Sequence, residues 1–328
     1  MEPDTTVNGS YTLYDIHPCF ELDNTTYSIT SQPSIICVLV YMFLSLLSVA
    51  TICGNLLVII SIIYFKQLHT PTNYLILSLA VADMLVGVLV FPLSMIYTIN
   101  SCLYHEDVFC KVRDCFDVAL STSSILNLCC ISIDRYYAIC HPLTYKSTVT
   151  VNVVRIMILV IWSIAALIGI GITVGGFSQG TCEEMCSVDV VLSNIMGPIL
   201  AFYFPAIIML CIYVKIFLVA QKQAISIQRT KSGVTASKME KKATKTLAIV
   251  MGIFLLCMTP YFICVVFQPL ASDPPSFSLI EALNWLTLSN SMLNPFIYAF
   301  FYSWFRSACS MIISGKIFQG DFTNTRLF

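Results

Sequence analysis

The stretch Cys110 to Pro142, CKVRDCFDVALSTSSILNLCCISIDRYYAICHP, decides the fold. It opens on a cysteine, carries Lys111, Arg113, Asp114 and Asp117, runs uncharged from Val118 to Ile133, and leaves through Asp134-Arg135-Tyr136. Charge at both ends and none between is the pattern of a helix across a bilayer, whose hydrocarbon core takes about 20 apolar residues. Asp117 stands just inside that helix. An ionisable group there is costly, and its default reading is a functional site with a cationic partner.

The rest of the chain has the same character. It is 57% hydrophobic and 11% charged, with a mean hydropathy of +0.83, whereas soluble domains are about a quarter charged. Further uncharged runs lie between Asp23 and Lys66, Arg155 and Glu183, Asp189 and Lys215, Lys245 and Asp273, and Glu281 and Arg306. With the run around Asp83 and the one quoted above, the count is seven spans. The expected class is an all-α membrane protein, a seven-transmembrane helix bundle followed by a short amphipathic eighth helix at 302–313.

Orientation follows from the basic residues. Of 17 Lys and Arg, Lys111 and Arg113 fall on one side and the other 15 on the opposite one, which the positive-inside rule makes cytoplasmic. The polar segment 1–33 is then outside. It has no Lys or Arg, no cleavable signal is read in it, and Asn8 and Asn24 sit in glycosylation sequons. We read 1–33 as an extracellular glycosylated segment, 34–303 as the membrane domain, and 304–328 as the amphipathic helix and cytoplasmic tail.

The spans carry a sparse set of polar and helix-breaking residues. Span one, about 34–65, has Gly54-Asn55, and span two, about 73–98, has Asp83 and a kink expected at Pro92. For Asp83 two readings stand: a protonated or water-satisfied polar residue, or a sodium or proton site shared with Ser124, Asn290, Ser291 and Asn294. Span four, about 153–175, holds Trp162 and Gly169, Gly171, Gly175 and Gly176, which point to a flexible outer end. Span five, about 190–219, contains Pro205 and Tyr213. Span six, about 243–269, contains Pro260, Tyr261 and Phe262, and span seven, about 278–302, contains Asn294-Pro295-Phe296-Ile297-Tyr298.

The set Asn55, Asp83, Asp134-Arg135-Tyr136, Trp162, Pro205, Pro260 and Asn294-Pro295-x-x-Tyr298 resembles the rhodopsin-like G-protein-coupled receptors, one motif per span in the right order. FKQLHTPTN, the run from Asn290 to Phe305 and Gly315-Lys316-Ile317-Phe318 resemble the trace amine-associated receptors. That resemblance implies a plasma-membrane receptor for small biogenic or volatile amines, olfactory or trace-amine in type, signalling through a stimulatory heterotrimeric G protein to cAMP. It implies disulfides from Cys110 to Cys186 and from Cys19 to Cys182, and it places Asp117, seven residues after Cys110, where aminergic receptors hold the ligand's ammonium. It also implies an output element at Asp134, Arg135 and Tyr136, with Glu240, Tyr213, Asn294, Pro295 and Tyr298.

The residues themselves define the expected pocket. Asp117 shares a helix face with Ser121 and Ser124, which turns it into the bundle. Tyr261 and Phe262 offer aromatic faces to an ammonium, with Asn284 and Trp285 from span seven. Trp285 has a second reading, as a lipid-facing side chain. Asp114, Glu184, Asp189 and Glu281 crowd the rim and form a candidate second cation site for a diamine, or merely steer cations inward. Gly197, Pro198 and Ala201 stand where catecholamine receptors carry serines, so a catechol is a poor fit.

Two positions depart from the family pattern: Met258 replaces a tryptophan two residues before Pro260, and Leu288 replaces a tyrosine that commonly bonds the binding aspartate. The rivals are a serotonin- or histamine-type receptor within the family, and a transporter or channel outside it. Transporters commonly show internal repeats with broken helices, and none is seen here. No enzyme is expected, since no metal cluster or nucleophile–base pair emerges, and no nucleic acid or cofactor beyond a sodium ion at Asp83 is implied.

Overall fold

Six helices of the computed structural model are each long and apolar enough to cross a bilayer, and a seventh, bent by 103° from a shorter helix after it, completes the set. The structure describes residues 35–100, 107–177, 197–229, 234–268, 275–318, 322–325 and 327, and among them every element is helical. In order these are α1 (Ile35–Tyr64), α2 (Pro71–Leu85), α3 (Phe91–Asn100), α4 (Asp107–Cys140), α5 (Pro142–Thr148), α6 (Val151–Phe177), α7 (Phe204–Arg229), α8 (Val234–Phe267), α9 (Phe277–Phe301) and α10 (Ser303–Ile313).

The expected kink at Pro92 takes a specific form. A π turn, Val86–Val90, joins α2 to α3, and a second one, Ile199–Tyr203, leads into α7. The N–H of Phe91 donates to Val86 O and that of Phe204 to Ile199 O, each five residues back. Both turns end two residues before a proline, Pro92 and Pro205. A proline has no N–H to give and its ring crowds the carbonyl four residues earlier; winding in one extra residue relieves that conflict. Beside the first turn, the Ser48 hydroxyl donates to Gly87 O at 2.9 Å.

Lipid tails are as apolar as leucine, so packing and interhelical hydrogen bonds hold such a bundle. Asn55 Nδ2 donates to Ser291 O at 3.0 Å, tying α1 to α9, and Trp162 Nε1 donates to Ser78 Oγ at 3.1 Å, tying α6 to α2. Each such bond contributes about 0.6–2 kcal/mol. Two apolar clusters fill the interior. One gathers Phe65, Leu75, Ile125, Phe202, Met209 and Phe254, and the other gathers Leu44, Val90, Phe91, Met95, Leu120 and Leu288. Leu39, Leu46, Leu159, Leu167, Leu256 and Phe300 stay exposed as the lipid-facing belt.

The four glycines expected to give α6 a flexible outer end all lie within the helix, which runs to Phe177. Gly169 serves contact instead. A Cβ there would lie 2.9 Å from both Cys115 O and the Ala119 Cβ, so only a glycine lets α6 approach α4 this closely, beside Asp117.

At the opposite end, Arg306 Nη1 donates to Ala299 O and Phe300 O, both at 3.0 Å. The guanidinium thereby caps the last carbonyls of α9 while α10 turns away, burying Trp304, Phe305 and Ala308. Gly315, at φ 69°, reverses the chain after α10. The tail then returns: Lys66 N–H donates to Thr323 O at 3.0 Å, Leu327 N–H to Gln67 Oε1 at 3.1 Å, and Leu327 is buried with the first apolar cluster.

Candidate functional site

The residues singled out in the sequence fall into three polar levels along α4. At the first, Asp117 is half-buried and accepts one hydrogen bond among the described residues, from Ser121 Oγ at 3.2 Å. One turn earlier Arg113 is bound to Asp114, with Nη2 at 2.9 Å and Nε at 3.0 Å from the same Oδ1. Tyr261 lies within electrostatic reach of Asp117, Asp114, Arg113 and Glu281.

The aromatic residues divide their roles. Phe262 stacks flat on Phe202, with centroids 4.3 Å apart at 8°, so one face of its ring is already covered. Tyr261 meets Phe262 edge-on at 5.5 Å and lies within electrostatic reach of the carboxylates. Trp285 packs inward on Phe91 at 5.4 Å, in the cluster of Leu120 and Leu288, which decides against its lipid-facing reading. Its Nε1 is buried without a hydrogen-bond partner among the described residues, a state that folded proteins rarely leave unexplained. Asn284 is buried next to it. Met258 and Leu288, the two departures noted in the sequence, are both buried.

The second level is Asp83, fully buried. Ser124 Oγ donates to its Oδ1 at 2.8 Å and Asn294 Nδ2 to its Oδ2 at 2.7 Å. Asn290 and Ser291 are buried nearby on α9, and Asn290 Nδ2 has no hydrogen-bond partner among the described residues. One carboxylate among neutral oxygen donors suits a small hard cation, by ligand chemistry. Among the described residues no His, Cys, Asp and Glu group could hold a heavier metal.

The third level is Asp134, whose side chain is 1% exposed. It accepts from Arg135 at 2.7 Å, from Thr72 Oγ1 at 2.8 Å and from the Tyr145 hydroxyl at 2.7 Å, and Arg135 also donates to Thr72. These bonds gather α2, α4 and α5 on one carboxylate. Tyr136 lies under Lys215 Nζ at 6.0 Å. Tyr213 adjoins Ser132, in reach of Arg135 and Tyr302, and Tyr298 is buried against Tyr302 and Phe305. Thr72 and Tyr145 were missed as partners of Asp134: Thr72 lies in FKQLHTPTN but had no role assigned there, Tyr145 lies in no motif, and both act through the fold. Asn8, Cys19, Asn24, Cys182, Glu184, Cys186 and Asp189 lie outside the described residues, as do the side chains of Cys110 and Glu240.

Residues 54–298 match the family model of the 7 transmembrane receptor (rhodopsin family). The chain is 43% identical to trace amine-associated receptor 1 of Macaca mulatta over 309 residues, covering 88% of this chain and 91% of that one. It is 40% identical to the Mus musculus receptor of the same name over 332 residues, 95% of this chain and all of that one. It is also 40% identical to trace amine-associated receptor 4 of Rattus norvegicus, over 94% of each chain. A receptor family, not an enzyme family, is what these matches describe, and its members work through heterotrimeric G proteins. With seven spans, the signature residues in place and identities of this size over nearly the whole chain, the protein belongs to the rhodopsin family of seven-transmembrane receptors, among the trace amine-associated receptors.

Proposed function

We propose that this receptor is activated by small amines whose ammonium pairs with Asp117, and that it signals through a stimulatory G protein to cAMP in the plasma membrane, with its N-terminus outside. The observation that carries the reading is Asp117 itself: a half-buried carboxylate between helices, held by one 3.2 Å hydrogen bond from Ser121, with acceptor capacity left over. Tyr261 supplies an aromatic face for the cation, and Trp285 Nε1 and Asn284 lie at the wall towards α9. Ala201 sits in the π turn before α7 with no hydroxyl to read a catechol, so alkyl and aralkyl amines fit best, as for an olfactory or trace-amine receptor. The span-seven signature and the relatives favour this over the serotonin- or histamine-type alternative.

Around this site, the reading includes a sodium ion held by Asp83, Ser124, Asn290, Ser291 and Asn294, bridges Cys110–Cys186 and Cys19–Cys182, and glycans on Asn8 and Asn24. Arg135 is paired with Asp134 and, by the family pattern, with Glu240; releasing that contact opens the G-protein cleft, a two-state element biased by the ligand. Glu240→Ala then raises basal cAMP, and an unchanged basal level removes Glu240 from the lock.

The decisive test is Asp117→Ala against a panel of volatile amines in a cAMP assay. Removing one partner of a buried ion pair costs about 3–5 kcal/mol, so potency falls by about a hundredfold or more. Near-normal potency at equal surface expression would sink the amine site.

A further inference from the structure

Residues 322–325 and Leu327 fold back onto the inner end of the bundle. Phe322 N–H donates to the Tyr64 hydroxyl at 3.4 Å, Lys66 N–H to Thr323 O at 3.0 Å, and Leu327 N–H to Gln67 Oε1 at 3.1 Å. A turn closed by Thr325 N–H on Phe322 O, at 3.0 Å, shapes the segment between these contacts. Leu327 is 3% exposed and belongs to the first apolar cluster, with Phe322 packed against the same cluster. Chain ends are poorly ordered unless tied down; here three hydrogen bonds and a buried leucine do the tying.

The surface that receives this segment leads to Asp134. Leu68 N–H donates to Phe65 O at 2.9 Å, Asn73 Nδ2 to Leu68 O at 2.8 Å and Asn73 N–H to Thr70 Oγ1 at 3.3 Å. Phe65 and Leu68 are buried beneath these bonds, so the run from Phe65 to Asn73 is a braced turn. Thr72, near its far end, donates to Asp134 and accepts from Arg135. Ordering a chain segment costs entropy that one buried leucine and three hydrogen bonds offset only narrowly. Docked and released forms then lie close in free energy, and a small change moves the balance between them.

We propose that the segment carrying Phe322, Thr323 and Leu327 is an intramolecular ligand of the α1–α2 turn, a latch that keeps Thr72 on Asp134 and so restrains the G-protein end of the receptor. This rests on the reading of Asp134 and Arg135 as the output element. Docking lowers basal activity and release raises it, while the amine site at the other end of α4 is untouched.

The test measures basal GTPγS uptake, which reports heterotrimeric G proteins of any type, on membranes bearing equal amounts of each full-chain variant. Leu327→Asp raises basal uptake by about two- to threefold, and Leu327→Met, which keeps the apolar bulk, stays at the parent level. Thr72→Ala raises uptake by a similar factor, and Leu327→Asp added to it brings no further rise, because both act on one contact. Hydrogen exchange reads the docking directly: the Lys66 amide exchanges at least about tenfold faster in Leu327→Asp than in the parent. Unchanged uptake in Leu327→Asp beside an active Thr72→Ala, rises that multiply in the double variant, or unchanged exchange at Lys66 each overturns the latch. If Leu327→Asp reaches the membrane poorly, Gln67→Ala, which removes only the acceptor of Leu327 N–H, carries the comparison: it gives a smaller rise, and no rise overturns the inference too. If Thr72→Ala is itself silent, the output reading at Asp134 fails and the latch falls with it, a result distinct from failure of the latch alone.

Discussion

The two ends of α4 each carry an aspartate next to an arginine, and the fold treats them in opposite ways. At one end, Asp134 is sealed: three donors from three helices converge on it, and its side chain is 1% exposed. At the other, Asp114 absorbs the arginine while Asp117, one turn on, is left with one long hydrogen bond. A carboxylate whose acceptor sites are filled from within the chain is a structural fastener. One that is desolvated but underfilled stores affinity for a cation from outside, because an unpaired buried charge is expensive. The distinction lies in the partners, not in the residue type.

The comparison breaks first at Asp117→Ala. That variant loses at least about a hundredfold in amine potency while its thermal stability in detergent stays near the parent's, since it discards a poorly satisfied charge. Should Asp117→Ala instead destabilise the receptor and spare potency, the two ends would have exchanged roles.

A smaller effect is expected from Gly169→Ala. The new methyl meets Cys115 O and the Ala119 Cβ at 2.9 Å, and overpacking of this kind costs about 1–3 kcal/mol. Because the contact lies on the turn of α4 that bears Asp117, the displacement falls on the ligand end. Amine potency drops by about three- to tenfold, with basal cAMP unchanged. The same substitution at Gly171, where a Cβ meets nothing within 4 Å, is the control and leaves potency alone.

Much of this was legible before any coordinates. Hydropathy and the charge at each end of the runs gave seven spans, because the bilayer sets their length. The i, i+4 spacing put Ser121 beside Asp117, and one motif per span put Asp83, Ser124 and Asn294 together. What escaped depends on contacts between elements. Four glycines near one helix end look like flexibility until α4 is seen pressed on Gly169. Phe262 offers two ring faces in the sequence, and only the fold shows Phe202 stacked on one of them. Asp114 looks like a lone rim acid until Arg113 is seen on it. The return of Leu327 to the loop after α1 has no local signal, since a single leucine near a polar tail end reads the same whether docked or not. The inner end taught the same lesson through Thr72 and Tyr145.

Tyr145 offers the gentlest way to sharpen the contrast. Its hydroxyl reaches Asp134 Oδ1 at 2.7 Å from α5, outside the membrane spans. Burial pushes this phenol above its ordinary range, with Asp134 adding to the shift. The folded state therefore favours the protonated donor: its contribution is complete below the ordinary phenol range and is lost as pH rises through the elevated value, so the contact is constant across physiological pH. Tyr145→Phe keeps the ring and removes the donor. Thr72 and Arg135 still fill the other positions on Asp134, so the loss is about 1–2 kcal/mol. The expected result is a fall of a few degrees in Tm, a rise in basal cAMP of about twofold and amine potency within about threefold of the parent. A tenfold loss of potency with Tm unchanged would mean that Asp134 is tuned by the ligand as directly as Asp117, and the division between fastener and receptor along α4 would not hold.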